Sequence, residues 1–174
     1  MAKTKMDAIA LLKADHRKVE DLFAKYEKSR GRKADLAKQI CKELIVHTLI
    51  EEEILYPACR EAGVEEDMMD EANVEHDGAK VLIAELEAGS PDEPFFDAKV
   101  KVLSEEIKHH VKEEEKRGGV FAQLRKTDVD LLELGAQMAA LKAELSREID
   151  ADNLPAPITL TMKGGSLERG QIPS

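Results

Sequence analysis

Apolar residues recur along this chain at alternating steps of three and four, the period of a helix with one buried face. The first series is Ile9, Leu12, His16, Val19, Phe23 and Tyr26, and the second is Ala37, Ile40, Leu44, His47, Glu51, Ile54 and Ala58. The third runs Met69, Ala72, His76, Ala79, Ile83 and Leu86, and the fourth Phe96, Val100, Leu103, Ile107, His110 and Glu114. A fifth, Leu131, Leu134, Met138, Leu141 and Leu145, contains no histidine. Each of the first four stripes is thus broken by one histidine, and two of them also by a glutamate four positions later.

Punctuation between the stripes sets the helix limits. The pattern predicts helices over about Lys5–Ser29, Ala34–Glu61 and Glu65–Ala88, then a fourth reaching Arg117 and a fifth over Asp128–Ile149. Pro57 is expected to bend or break the second helix near its end, and Ser90-Pro91 to act as N-cap and first residue of the fourth. Gly118-Gly119 interrupts the fourth helix. From Asp150 onward, Pro155, Pro157, Gly164, Gly165, Gly170 and Pro173 preclude a continued helix, and Ile158 to Met162 alternates too briefly for a strand without a partner.

Composition agrees with an all-α protein. A chain of 174 residues with 43% hydrophobic and 36% charged residues can bury one real core. Aromatics are only 3% and Trp is absent, so aliphatic helix packing must build that core. The net charge of -10, without a basic stripe, argues against nucleic acid as a partner. No stretch approaches a membrane span and Met1 to Asp7 lacks the apolar core of a signal peptide, so no membrane and a cytoplasmic location are expected. Cys41 and Cys59 lie 18 residues apart, about 27 Å along one helix, too far for a disulfide within it. They read as buried structural thiols and not as metal ligands.

The stripes also repeat. Asp15-His16 answers Glu75-His76, and Glu43-Leu44-Ile45-Val46-His47 answers Glu106-Ile107-Lys108-His109-His110. Two helical hairpins, each giving one His from its first helix and a His-x-x-x-Glu from its second, would bring His16, His47, Glu51, His76, His110 and Glu114 together at mid-bundle. An isolated His-x-x-x-Glu pair means little among 36 acidic residues. His47, however, is flanked by Leu44, Ile45, Val46, Leu49 and Ile50, where an unpaired imidazole and carboxylate would cost several kcal/mol. Coordination of a cation removes that cost. Imidazole and carboxylate without thiolate suit iron, manganese or zinc, and six donors exceed the four of a structural zinc site, which points to two ions. His109 shares its spacing with Glu113 but falls beside the stripe and reads as exposed or supporting. Glu20 reads as a flank residue, Lys80 cannot ligate metal, and Glu52, Glu53 and Glu115 read as surface charge.

The order His, His-x-x-x-Glu, His, His-x-x-x-Glu resembles the hemerythrin-like, or HHE cation-binding, domain family. Ala14-Asp15-His16, His47-Thr48-Leu49-Ile50-Glu51-Glu52-Glu53-Ile54-Leu55-Tyr56-Pro57 and His109-His110-Val111-Lys112-Glu113-Glu114-Glu115 carry the likeness, over about residues 5–125. The resemblance implies an up-down four-helix bundle holding two non-heme iron ions, with both glutamates able to bridge them. It implies a small diatomic or peroxide as ligand, to be bound, sensed or turned over. An iron buffer or donor for metal-centre repair is an alternative, as is a structural or interaction bundle with incidental metal. Oxygen carriers of the family use a fifth histidine on the third helix where this chain has Lys80, which favours reaction or sensing over carriage. Lys116-Arg117-Gly118-Gly119-Val120-Phe121 also departs from the family's usual exit from the fourth helix. The expected organisation is the bundle over 1–125, a C-terminal helix over 126–150 packed on its outside, and an extended or disordered tail over 151–174.

Overall fold

The first helix starts at Asp7, whose side chain accepts the Ala10 N–H at 2.7 Å and so meets one of the otherwise unpaired donors of the first turn. A computed structural model describes residues 6–163; the first residues of the expected N-terminal helix and the glycine-rich end of the tail lie outside that range. The helices are α1 (Ala8–Lys28), α2 (Lys33–Ile50), α3 (Tyr56–Glu61), α4 (Glu66–Ala88), α5 (Phe96–Glu115), α6 (Val120–Leu124) and α7 (Leu131–Glu148). No strand occurs among the described residues, only an isolated bridge between Asp150 and Asn153. The chain is all-α. Short turns join α1 to α2 and α4 to α5, and the two hairpins pack as an up-down bundle, with α7 lying against α1 and α2.

The bend or break expected of Pro57 takes the form of a change of turn just before it. Between α2 and α3 the residues Glu51–Leu55 form a π-helical turn, in which Tyr56 N–H donates to the Glu51 carbonyl five positions back. Proline has no N–H for its own turn and crowds the carbonyl four residues earlier, and one extra residue in the turn accommodates both defects. The insertion shifts the phase of everything downstream. Leu55, Tyr56 and Cys59 therefore face the core, whereas the regular stripe places Ile54 and Ala58 there.

Ser90 and Pro91 do not cap the fourth helix. The Ser90 carbonyl accepts the Glu93 N–H in a turn, and α5 begins only at Phe96, after Phe95 adopts a left-handed φ of 69°. At its other end α5 stops at Glu115. Gly118 has φ 83°, and a Cβ on Gly119 would lie 2.2 Å from the Glu113 carbonyl oxygen, so both glycines serve the tight exit into α6.

The core comes in two apolar clusters. Val19, Phe23, Ile40, Leu44, Ile83, Val100 and Leu103 belong to one, and Ile9, Leu12, Ile50, Leu55, Tyr56, Met69, Phe121, Leu124 and Met138 to the other. In each bundle helix the residues of one cluster stop where a histidine begins. A polar layer separates the clusters, closed off from water above and below.

The tail returns over the bundle. Leu160, Thr161 and Met162 N–H groups and the Thr161 hydroxyl all donate to the Asp77 carboxylate on α4. Burial opposes the charge on Asp77, but those four donors outweigh it and hold its carboxyl down to about 2.

Candidate metal centre

The polar layer holds all six residues singled out by the stripes, none more than 6% exposed. Donor atoms of His16, His47, Glu51 and Glu114 lie within 4.8 Å of one another, and those of Glu51, His76 and His110 form an adjoining group of the same tightness. Glu51 belongs to both groups. Its Oε1 is 3.3 Å from His47 Nε2, while its Oε2 is 3.2 Å from His76 Nε2 and 4.0 Å from His110 Nε2. Glu114 spans them in the same manner, with Oε2 3.4 Å from His16 Nε2 and Oε1 3.6 Å from His110 Nε2.

Unmet bonding capacity shows what this layer fits. His16 Nε2, His47 Nε2, Glu51 Oε1 and Glu114 Oε2 are closed to solvent and make no hydrogen bond. A buried polar atom left unpaired costs about 1–3 kcal/mol, and more when charged. Four such atoms in one small volume, two imidazole nitrogens and two carboxylate oxygens, are a donor set that a divalent cation satisfies. The second group contains a further hydroxyl. Tyr56 places its phenol oxygen 3.1 Å from His76 Nε2, 3.1 Å from Glu114 Oε1 and 3.5 Å from Glu51 Oε2. Burial, with Glu114 and Glu51 beside it, raises the Tyr56 pKa well above the ordinary range, so the phenol keeps its proton. The π turn puts Tyr56 there, and a regular helical stripe cannot foresee it.

A carboxylate stands behind every one of the four histidines. His16 Nδ1 is 2.7 Å from Glu115 Oε1, His76 Nδ1 is 3.1 Å from Glu52 Oε1 and His110 Nδ1 is 2.6 Å from Glu75 Oε2. Asp15 Oδ2 faces His47 Nδ1 at the longer distance of 3.7 Å. An ionised carboxylate only accepts, so at the three short contacts the ring donates from Nδ1, leaving Nε2 for the interior; such pairing fixes ring orientation and raises ligand basicity. The pattern follows the internal repeat. The acid preceding each first-helix histidine, Asp15 or Glu75, serves the histidine of the next helix in its own hairpin. The acid following each inward glutamate, Glu52 or Glu115, serves the first-helix histidine of the other hairpin.

Glu52 and Glu115 are therefore not the free surface charges their sequence context suggests. Each supporting acid also has a basic partner: Lys80 Nζ is 2.7 Å from Glu52, Arg17 Nη2 is 2.9 Å from Glu115, His109 Nε2 is 3.2 Å from Glu75, and Lys142 of α7 pairs with Asp15. Lys80 takes no place among the inward donors; it holds the acid that holds His76. Glu20 pairs with Arg17 on the surface, and His109 lies outside both groups, on the exposed side of α5. Asp15 and Glu75 could have been found from the Asp15-His16 and Glu75-His76 doublets, whose repetition is visible in the sequence.

Electrostatics of the layer follow from this crowding. Burial disfavours charge on His110, yet the carboxylates of Glu114, Glu75 and Glu51 prevail and push it up to about 9. Burial likewise opposes ionisation of Glu114, while His110, His16 and His47 pull it down to about 2. Burial opposes charge on His16 and His76 as well, yet Glu114, Glu51 and Glu115 raise His16, and Glu51 and Glu52 raise His76. Next to the donors, Asp15, His16, Val19, Leu44, His47, Thr48, His76, Ile107 and His110 line a cavity of about 10 Å³, close to the smallest space that admits one water.

Residues 7–119 match the family model described as Hemerythrin HHE cation binding domain. A protein of Nostoc sp. named DNA nickase is 33% identical over 125 residues, which are 71% of this chain and 35% of that protein. The chain spans about a third of that relative's length. A crystal structure of a hemerythrin HHE cation binding domain-containing protein from Mycobacterium kansasii superposes with a TM-score of 0.69 at 23% identity, covering 82% of this chain and 89% of that one. That likeness concerns the fold, a hemerythrin-type bundle with an additional helix. Over most of its length, by this match and by the arrangement of its buried histidines and acids, the chain belongs to the hemerythrin HHE cation-binding domain family.

Proposed function

We propose that this protein holds two non-heme iron ions and uses them to bind, sense or turn over dioxygen, nitric oxide or peroxide. One observation supports the reading most: Glu51 and Glu114 each offer one oxygen to either of two adjoining donor groups. Two carboxylates that reach both groups, with two histidines for each, favour a pair of ions over a single one. His16 and His47 would hold one ion, His76 and His110 the other, and Glu51 and Glu114 would join them. When bound, iron supplies Lewis-acid and redox chemistry toward a small ligand.

The chain supplies the rest. The two apolar clusters keep bulk water from the layer, and the Nδ1 carboxylates hold the rings in place. The Tyr56 hydroxyl keeps its proton and can donate it toward Glu114 Oε1. The cavity beside the histidines sets the scale of a ligand at one small molecule. Lys80, where oxygen carriers of the family use a fifth histidine, is committed to Glu52, which favours reaction or sensing over reversible carriage. The DNA nicking named for the Nostoc relative belongs to a protein of which this chain matches about a third, and the expectation that nucleic acid is no partner finds no support in that likeness.

Metal analysis of aerobically purified protein, with an ultraviolet-visible spectrum before and after peroxide or nitric oxide, tests the reading. About two irons per chain and a spectral change are expected. Iron-free protein, together with a ferrous-loaded sample that responds to none of the three ligands, would overturn it.

A further inference from the structure

Asp15 is the one aspartate among the four acids behind the histidines, shorter by a methylene than Glu52, Glu75 and Glu115. Each of the four is shared between an inward histidine and a basic group, and the three glutamates reach both. Glu52 Oε1 lies 3.1 Å from His76 and 2.7 Å from Lys80, and Glu115 Oε1 lies 2.7 Å from His16 and 2.9 Å from Arg17. Glu75 divides its oxygens between His110 at 2.6 Å and His109 at 3.2 Å. Asp15 reaches only one partner. Its Oδ1 pairs with Lys142 of α7, while its Oδ2 stays 3.7 Å from His47 Nδ1, beyond hydrogen-bonding range. Both of those facing atoms are closed to solvent and make no hydrogen bond.

Space on both sides of the pair leaves it free to shift. Asp15 borders the cavity of about 10 Å³ inside the layer, together with His47 and Thr48, and also an open cleft of about 340 Å³ outside it, between α1 and α7. The small side chains of Ala14, Ala139, Ala143 and Ser146 line that cleft beside Lys142, which is 26% exposed. α7 has no counterpart in the internal repeat and lies beyond residues 7–119, and it packs on α1 and α2, the hairpin that carries Asp15 and His47. The first hairpin is therefore under a constraint that the second is not.

We infer that Lys142 is a positioning residue, which draws Asp15 away from His47, leaves that imidazole the least restrained of the four, and so makes the position of His16 and His47 the first to release its metal ion. The inference rests on the reading of the layer as a two-ion centre. An acceptor behind a ligating imidazole fixes the ring and raises its basicity. At His47 that acceptor is engaged by α7 instead, so a side chain that touches neither ion sets an unequal hold on the two.

Two measurements on the full chain test it. Protein loaded with Co2+ and mixed with excess chelator should lose its two ions in two phases, followed by visible absorption. Lys142→Met should slow the faster phase by about tenfold, the lower end of what an outer carboxylate contributes at a ligating histidine, and leave the slower phase unmoved. Asp15→Glu, long enough to reach both partners, should slow the same phase. Lys142→Arg, and Arg147→Met on the exposed side of α7, should both release at the parental rate. A purely structural Lys142 predicts the opposite sign, because losing the ion pair loosens α7 and speeds release. Release from Lys142→Met that is unchanged or faster, slowing of both phases alike, equal slowing in Arg147→Met, or a single phase in the parent would overturn the inference. In metal-free protein, a protected ring N–H signal of His47 should appear in the NMR spectrum of Lys142→Met and be absent from that of the parent; the same His47 spectrum in both would also overturn it. Failure of the layer to hold two ions would instead sink the proposed function, and the NMR comparison would still read Lys142 on its own.

Discussion

Glu115 lies 2.7 Å from the His16 Nδ1, across the ninety-nine positions that separate them in sequence. The contact closes the bundle, because it ties the end of α5 to the middle of α1 and sets which imidazole nitrogen faces inward. Together with Glu52 behind His76 it converts two residues of apparent surface charge into supports of the buried polar layer.

Glu115→Gln and Glu52→Gln should each weaken metal binding by about 10–100-fold, the usual effect of removing an outer carboxylate from a ligating histidine. Competition against a chelator of known affinity measures this. Unchanged affinity in both variants would show that the acids only decorate the surface.

His47→Ala should remove metal and, with it, the stability that metal confers. A ligand present at about 100 times its dissociation constant contributes about 2.7 kcal/mol. In the parent, a chelator should lower the thermal midpoint; in the variant, the midpoint should already be low and indifferent to chelator. A parent whose midpoint ignores chelator would contradict a bound metal.

Gly119→Ala should destabilise the fold by about 1–3 kcal/mol, since overpacking forces the backbone to move. The new Cβ would meet the carbonyl oxygens of Glu113 at 2.2 Å and Glu114 at 2.9 Å. It would also disturb the inward carboxylate and α6, whose Phe121 stacks on His16 at 5.9 Å between centroids. Chemical denaturation checks the stability; a variant as stable as the parent would show that the turn has slack.

Alkaline pH should destabilise the protein through groups outside the polar layer. Burial, and to a lesser degree Glu87, pushes the Cys41 thiol up to about 12; burial together with Glu114 and Glu51 does the same for Cys59. Burial and the hydrogen bond to Asp97 raise Tyr26. Each pKa is raised on folding, so the stabilisation is complete below the unfolded values, about 8.5 for thiol and 10 for phenol, and is lost as pH climbs through the folded ones. Urea midpoints should hold steady to about pH 8.5 and fall beyond it. A thiol reagent should label neither cysteine in native protein at pH 8, and rapid labelling there would contradict their burial.

Asp77→Asn should free the tail from α4. Only one oxygen acceptor then remains for three N–H groups and a hydroxyl, and limited proteolysis should cut around residues 155–162 faster than in the parent. Identical cleavage rates would place the anchor of the tail elsewhere.

The stripes in the sequence are enough to specify four helices with one inward histidine each, because burial on a helix leaves a period that single residues cannot hide. All the positions expected in the first and third stripes are buried. The same reasoning names six convergent donor residues, since two copies of one hairpin must present like residues at like depth. Periodicity has no means of seeing a change of phase. The π turn at Glu51–Leu55, next to Pro57, brings in Leu55, Tyr56 and Cys59 and leaves Ile54 and Ala58 half-buried at the edge of the cluster. Likewise, nothing local separates Glu52 and Glu115 from the solvated acids around them. Their partners, His76 and His16, stand on the other hairpin, and only the docking of the two hairpins brings carboxylate and imidazole within hydrogen-bonding distance.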